Sequence, residues 1–139
     1  MGEQTDFVTN DYEWDLDILY DDKNNVTQLR YKWTTGPRDQ ITITTVSAYD
    51  NKSTPYVGIK GWKFLGNFAW NNYDPEPVII ALSVNNPLDY TLQPGSANPW
   101  HRSMAYTYNE NGFPVEKVNI DKNANGESTY KQTFTYKCQ

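Results

Sequence analysis

The sequence predicts a mainly β fold: an antiparallel meander, forming a curved sheet or a partly open barrel, with one inserted short helix at about residues 75–84. Three observations predict this class. Several segments alternate apolar and polar residues with the period of a strand, Asn-Gly turns lie within two Tyr-rich hairpins near the C-terminal end, and the clearest helix start stands between these regions. The chain has 139 residues, 15% of them aromatic, which suffices for a single β-rich domain over residues 1–139 with a core rich in rings.

The first hairpin can be predicted down to its register. Within residues 13–33, two segments alternate charged or polar residues with apolar ones, and Asp-Lys-Asn-Asn, all turn formers, separates them. Pairing Ile18 with Leu29 gathers the apolar residues on one face and places Asp17 opposite Arg30 on the other. A slip by one residue would mix charges into the apolar face, so the pattern selects this register.

A third strand is expected to continue the meander. Residues 41–46 read Ile-Thr-Ile-Thr-Thr-Val and are β-branched throughout, which favours a strand. We place Ile41 opposite Trp33 and Ile43 opposite Tyr31, because this pairing extends the apolar face of the first hairpin.

The helix at residues 75–84 has a clear beginning. Asp74 is a good N-cap and Pro75 suits the first helical position, and the apolar residues that follow form one helical face. We expect this face to cover one side of the sheet. Residues 86–100 contain four Pro or Gly residues and are predicted to form a loop, after which strands resume at His101.

The last hairpins supply the remaining strands. Their apolar residues of even number are expected to line one face and to share a dry interior with the rings of residues 29–33. These residues are Val118, Ile120, Tyr130, Phe134 and Tyr136.

The composition excludes several classes of protein. A net charge of −5 argues against nucleic-acid binding, which needs a basic surface. The longest apolar run, residues 78–82, is far too short to cross a bilayer as a helix, so no transmembrane segment is expected. Cys138 is the single cysteine, so no intrachain disulfide can form. No cofactor is expected.

Aromatic residues outside the predicted strands are the candidate ligand-binding residues. Rings on loops over a sheet can stack on the faces of sugars, although they can equally fill the open side of a curved sheet. The candidates are Trp62, Trp70, Tyr73 and Trp100.

A calcium site is a weak alternative at the last turn. Asp121, Asn123 and Asn125 place oxygen donors at alternate positions before a Gly, as in the first half of a calcium loop. The bidentate Glu of such loops should stand at position 132, where this chain has Gln132. We therefore predict no metal, and interpret the segment as a long hairpin turn.

Enzymatic residues do not converge on any motif. His101 is the only histidine, and Cys138 stands too near the terminus for a rigid nucleophile. Asp15 and Asp17 share a strand face and could in principle act as a catalytic pair, but the predicted register gives each a cationic partner. We expect the chain not to be an enzyme.

Three segments carry a resemblance to a known family. Residues 41–56, 85–88 and 106–114 combine strands with the turn sequences Tyr-Asp-Asn-Lys, Asn-Asn-Pro-Leu and Tyr-Asn-Glu-Asn-Gly-Phe-Pro. In these features the chain resembles Bacteroidetes envelope lipoproteins of unknown function, which have a porin-like curved β-sheet fold and Tyr-Asp-type hairpin repeats. The resemblance implies a place in the cell envelope, as an outer-membrane lipoprotein, or secretion. Because the sequence has neither a signal peptide nor an N-terminal lipidated Cys, a native export segment is expected outside it.

The resemblance and the residues together favour a non-enzymatic envelope or secreted domain that binds a glycan or a protein partner. Two alternatives stay open, a carbohydrate-acting enzyme and a carrier of a small apolar ligand. A glycan binder needs rings exposed on a concave surface. A glycosidase needs two close carboxylates that no Lys or Arg neutralises. A carrier needs an enclosed void with apolar walls.

Overall fold

The computed structural model describes residues 14–33, 41–54, 74–95 and 97–136, and its strands form one antiparallel sheet. The strands are β1 (Trp14–Tyr20), β2 (Val26–Trp33), β3 (Ile41–Ser53), β4 (Asn85–Pro94), β5 (Trp100–Tyr108), β6 (Pro114–Asn123) and β7 (Gly126–Thr133). Each strand pairs with the next, in the order β1-β2-β3-β4-β5-β6-β7. The sheet is therefore an open meander and not a closed barrel, which confirms the predicted fold class.

The first hairpin has the predicted register. Ile18 lies opposite Leu29, and Asp17 lies opposite Arg30 and forms an exposed ion pair with it at 3.6 Å. Leu29 is fully buried. Asn24 in the turn has a φ of 64°, a left-handed conformation that Asn adopts more readily than most residues. The alternation of charged and apolar residues was thus sufficient to define this pairing.

The predicted pairing of the second and third strands is wrong by one residue. Ile41 lies opposite Lys32, and Thr44 lies opposite Leu29. Thr44 and Val46 are consequently the buried residues of β3, whereas Ile41 is only half-buried. The prediction failed because β-branched residues occupy both faces of this strand, so neither register separates apolar from charged residues.

The helix forms nearly where it was predicted. We call it α1, and it spans Glu76–Leu82. The carboxylate of Asp74 accepts a hydrogen bond from the backbone N–H of Glu76 at 3.0 Å, although Pro75 occupies the N-cap position itself. Among the described residues, no helix is both long and apolar enough to cross a membrane.

The helix covers one face of the sheet, as the sequence predicts. Ile79 is fully buried, and its burial contributes roughly 2 kcal/mol by the area removed from water. The core that α1 completes consists of Val26, Leu29, Val46, Val78, Ile79, Tyr90 and Met104.

The predicted loop over residues 86–100 is wrong, because most of it forms β4 at the centre of the sheet. Tyr90 is fully buried and Leu92 is only 6% exposed. Pro87 pairs with β3 beside a register irregularity, and Pro94 ends the strand. Proline is tolerated at such positions because it interrupts few ladder hydrogen bonds there. Because of the two prolines, the alternating apolar residues of this segment were not recognised as a strand from the sequence.

The predicted inner face of the last hairpin is also wrong. Asn119 lies opposite Tyr130, so Tyr130 shares its face with Asn119 and Lys117 and not with Val118. Both Asn119 and Lys117 are buried. All residues of β7 are exposed, and Tyr136 is 43% exposed. In the described part of the chain, no residue of β6 or β7 belongs to the core cluster that contains Leu29, so the expected shared interior is not formed by these rings.

Candidate binding cleft

A cleft of about 370 Å³ lies between α1 and the last strands of the sheet. Its walls carry three kinds of side chain: charged groups near the start of α1, carboxamides on β4, β6 and β7, and aromatic rings on β5, on β7 and just after β7. We call this feature the α1 cleft. Its volume lies in the range of small-molecule sites.

Arg102 on β5 organises the floor next to the cleft. It is 4% exposed and donates five hydrogen bonds to three carboxylates. Its Nε and Nη2 bind the two oxygens of Asp121 at 2.6 and 2.9 Å. Its Nη1 binds Asp74 at 2.9 and 3.1 Å and Glu76 at 2.7 Å. A single guanidinium thus ties the beginning of α1 to strands β5 and β6.

Lys117 on β6 completes the ion cluster. Its Nζ donates to Glu76 Oε1, and both side chains are almost fully buried. The cluster therefore holds three carboxylates (Asp74, Glu76 and Asp121) and two cations, a net charge of −1. An ammonium has three N–H donors, and the described part of the chain gives Lys117 one acceptor, so donor capacity remains at the cleft.

Aromatic rings surround the guanidinium of Arg102. Its central carbon lies 4.5 Å from the ring centroid of Trp100 and 5.1 Å from that of Tyr130. Burial alone would lower the pKa of Arg102, but its hydrogen bonds to Asp121 and the charge of Asp74 raise that pKa above its ordinary value. The arginine is therefore a permanent cation. Burial raises the pKa of Tyr130 to about 12, so its hydroxyl is neutral at ordinary pH.

Two buried carboxamides in the α1 cleft have polar atoms that make no hydrogen bond of normal geometry within the described residues. Asn119 is 1% exposed and lies against Tyr130, its cross-strand partner, whose hydroxyl pKa the Asn119 side chain lowers. Neither Nδ2 nor Oδ1 of Asn119 makes a hydrogen bond of normal geometry within the described residues. Asn86 donates through Nδ2 but leaves Oδ1 unpaired. Each such atom costs about 1–3 kcal/mol of desolvation. A ligand with hydroxyl groups would supply the missing partners.

Sequence reasoning missed this cluster, although one signal was present. Trp100, Arg102 and Met104 alternate along β5, and Arg102 therefore occupies an inward position between two apolar neighbours. A charged residue at such a position is expected to be buried with a partner. The partners could not be found from sequence, because they come from α1 and β6.

Trp100 is the one predicted ligand-binding residue that the structure describes. It is half-buried, packs edge-on against Tyr90 at 5.7 Å between centroids, and stacks on Arg102. It does not line the α1 cleft. The structure therefore places Trp100 beside the ion cluster, while Trp62, Trp70 and Tyr73 lie outside the described residues.

The oxygen donors of the weak calcium alternative do not converge in the structure. Asp121 holds Arg102, and Asn123 Oδ1 accepts a hydrogen bond from the backbone N–H of Asn125 at 2.8 Å within the β6–β7 turn. In the described ranges, no three His, Cys, Asp or Glu side chains are grouped to hold a metal ion.

The single histidine is hydrogen-bonded to a carboxylate in an arrangement that differs from a catalytic relay. His101 Nε2 lies 2.8 Å from Asp89 Oδ2, and Ser47 Oγ donates to the other oxygen of the same carboxylate. In a Ser-His-Asp triad the imidazole stands between the hydroxyl and the carboxylate. Here the carboxylate stands between them, so His101 is not arranged to activate Ser47.

Comparison of the chain with protein-family models, with curated proteins and with solved structures finds no match. The family resemblance of the turns stays a prediction, and the chemistry of the α1 cleft is the basis for assigning a function.

Proposed function

We propose that this chain is a non-enzymatic domain that binds a carbohydrate in the α1 cleft. The observation that carries the proposal is the buried carboxamide of Asn119 in the cleft wall, which contacts Tyr130 but makes no hydrogen bond of normal geometry within the described residues. A buried polar group without a partner is costly, and such groups in native proteins call for an explanation in function or in bound water.

The carboxamides suit a pair of neighbouring hydroxyl groups. Asn119 offers an N–H donor and a C=O acceptor side by side, and each sugar hydroxyl can both accept and donate a hydrogen bond. Nδ2 and Oδ1 have almost no accessible surface in the structure, so a sugar reaches them through a shift of the side chains that cover them; adjacent hydroxyls then satisfy both atoms together. Asn86 Oδ1 and the remaining donors of Lys117 add one acceptor site and further donors on the same wall.

The rings of the cleft suit the apolar face of a sugar. Tyr106, Tyr130 and Phe134 line the cleft beside the carboxamides. A flat aromatic surface next to a few fixed polar groups gives both contact area and orientation. This combination distinguishes a saccharide from a purely apolar ligand, which would leave the carboxamides unpaired.

The alternatives fit the cleft less well. The carboxylates of Asp74 and Glu76 are both in the cleft, but Arg102 and Lys117 neutralise them, which is unsuitable for a glycosidase pair. A carrier of an apolar ligand would need an enclosed apolar interior, whereas the described sheet is open and the cleft is charged. A concave site of this volume also favours a small saccharide over a protein surface.

A cell-envelope or secreted location is part of the same proposal and rests on the resemblance in the turns. Expression of the gene in its native host, followed by fractionation and protease treatment of intact cells, tests it. Recovery of the protein in the cytosolic fraction would contradict that location.

A glycan-array screen of the purified chain, followed by calorimetric titration of the best ligand, tests carbohydrate binding. Asn119→Leu replaces the carboxamide by an apolar group with the same number and branching of heavy atoms, and Asn98→Leu at an exposed position is the matched control. We expect Asn119→Leu to bind at least about tenfold more weakly, since it loses two hydrogen bonds, and Asn98→Leu to bind as wild type. Failure of every glycan to bind, or equal binding by Asn119→Leu, overturns the proposal.

A further inference from the structure

The net charge of the α1 cleft determines whether it favours cationic, neutral or anionic sugars. Asp74, Glu76 and Lys117 line the cleft, and Arg102 and Asp121 lie behind them. The five groups sum to −1, from three carboxylates and two cations. Most of these charges are buried, so salt screens them less than it screens exposed pairs.

Asp74 is the carboxylate that a ligand can reach. Its side chain is 41% exposed, against 7% for Glu76 and 13% for Asp121. Asp74 Oδ1 already accepts from the backbone N–H of Glu76, the hydroxyl of Tyr90 and Arg102. Within the described residues, Asp74 Oδ2 accepts one hydrogen bond, from Arg102, and a carboxylate oxygen can accept two. One acceptor position therefore remains on Asp74 Oδ2.

The charges of the two cations are already balanced by the carboxylates of the cluster. Arg102 donates to three carboxylates, and Lys117 is paired with Glu76 but keeps spare N–H donors. A ligand carboxylate could reach those donors of Lys117, but it would meet the net negative charge of the cluster at the same time. A ligand ammonium would gain from Asp74 and from the negative faces of the neighbouring rings of Tyr106 and Tyr130.

We propose that the α1 cleft selects sugars that carry a protonated amine, prefers them to their neutral counterparts and rejects uronic acids. The ammonium group binds Asp74 Oδ2, the ring hydroxyls pair with the carboxamide of Asn119, and the apolar face of the sugar packs on the rings. This inference rests on the proposed function and adds the class of ligand to it.

Three ligands of one length test the selection by calorimetry on the full chain. They are a glucosamine oligomer below the pKa of its amine, the same oligomer N-acetylated, and an oligomer of a uronic acid. We expect the glucosamine oligomer to bind at least about tenfold more tightly than the acetylated one, the size of one charged hydrogen bond, and the uronic acid to bind most weakly. Equal binding of all three overturns the selection and leaves carbohydrate binding intact. If none of the three binds while the array yields another sugar, the selection alone is wrong. If no sugar binds at all, the proposed function fails as well.

Asp74→Asn tests the atom that carries the selection. The readout is the ratio of affinities for the amine and acetylated oligomers within each protein, so a general loss of affinity cancels. We expect the ratio to fall to about 1 in Asp74→Asn and to stay at its wild-type value in Asp22→Asn, an exposed control in the β1–β2 turn. An unchanged ratio in Asp74→Asn overturns the assignment of this carboxylate. If Asp74→Asn does not fold, the pH dependence of the ratio in wild type replaces it: the ratio falls toward 1 as the pH rises above the pKa of the ligand's amine if the ammonium charge acts, and a constant ratio refutes the inference.

Discussion

Replacement of Arg102 by Met tests whether the ion cluster holds α1 to the sheet. Arg102 makes five hydrogen bonds to Asp74, Glu76 and Asp121 while it is 4% exposed. Met keeps an unbranched stem beneath the rings but removes the guanidinium. The cluster then holds three carboxylates and one cation, so its net charge changes from −1 to −2. We expect the free energy of unfolding to fall by about 3–5 kcal/mol, as when one partner of a buried pair is removed.

The pH dependence of this loss separates charge from packing. Without the guanidinium, protonation of the carboxylates relieves their repulsion. The difference in free energy of unfolding between wild type and Arg102→Met should therefore shrink as the solution is made more acidic. A packing defect would persist unchanged at every pH.

Urea unfolding followed by tryptophan fluorescence measures both effects. The matched control is Arg30→Met, because Arg30 is 45% exposed and lies 3.6 Å from its partner Asp17. We expect the control to lose less than about 1 kcal/mol. A loss below about 1 kcal/mol in Arg102→Met, or a loss that does not vary with pH, would refute the reasoning.

Three further predictions follow from buried polar groups. Asn119→Leu should raise the free energy of unfolding by about 1 kcal/mol, because removal of two buried polar atoms without normal hydrogen bonds outweighs the cost of packing the larger Leu. A loss of stability in thermal denaturation would mean that the carboxamide is satisfied. Asn25→Ala should lower the free energy of unfolding by about 2–3 kcal/mol, because Oδ1 of Asn25 accepts hydrogen bonds from the backbone N–H groups of Val84 and Asn85 at 3.1 and 2.8 Å. A decrease within the error of urea unfolding would contradict the contribution of these two hydrogen bonds. Burial raises the pKa of Tyr130 from 10.0 to about 12, so the neutral hydroxyl stabilises the fold fully below pH 10, and this stabilisation is lost as the pH rises through 12. The phenolate titration of Tyr130→Phe should therefore lack the ionisation near pH 12 that wild type shows. An unchanged titration would contradict this prediction.

Local patterning was sufficient to predict some elements and not others. The first hairpin pairs Asp17 with Arg30 as predicted, because charged and apolar residues alternate strictly on both strands. The next pairing slipped by one residue, because Thr44 is small and β-branched and can be buried as readily as Ile43. Register is well determined only where one face clearly excludes charge.

The central strand β4 and the α1 cleft could not be predicted from the sequence, for two different reasons. Pro87 and Pro94 indicated a loop, but they occupy an irregular pairing and a strand end, where the sheet tolerates them. The cleft was missed because its groups meet only in three dimensions: Glu76 is on the helix, Arg102 on β5 and Lys117 on β6. The polar residues of β6 also pointed inward where the aliphatic ones were expected to point. The alternating aliphatic residues of β6 correctly predicted a strand, but they were expected on the opposite face of the sheet.

Chemical-shift perturbation of the labelled chain by a glucosamine oligomer tests carbohydrate binding in the α1 cleft most directly. We expect the largest shifts at the side-chain amide of Asn119 and at the backbone amides of Tyr106, Tyr130 and Gln132, with saturation at one affinity. Shifts confined to other parts of the sheet, or an unmoved Asn119 amide at saturating oligomer, would contradict the account.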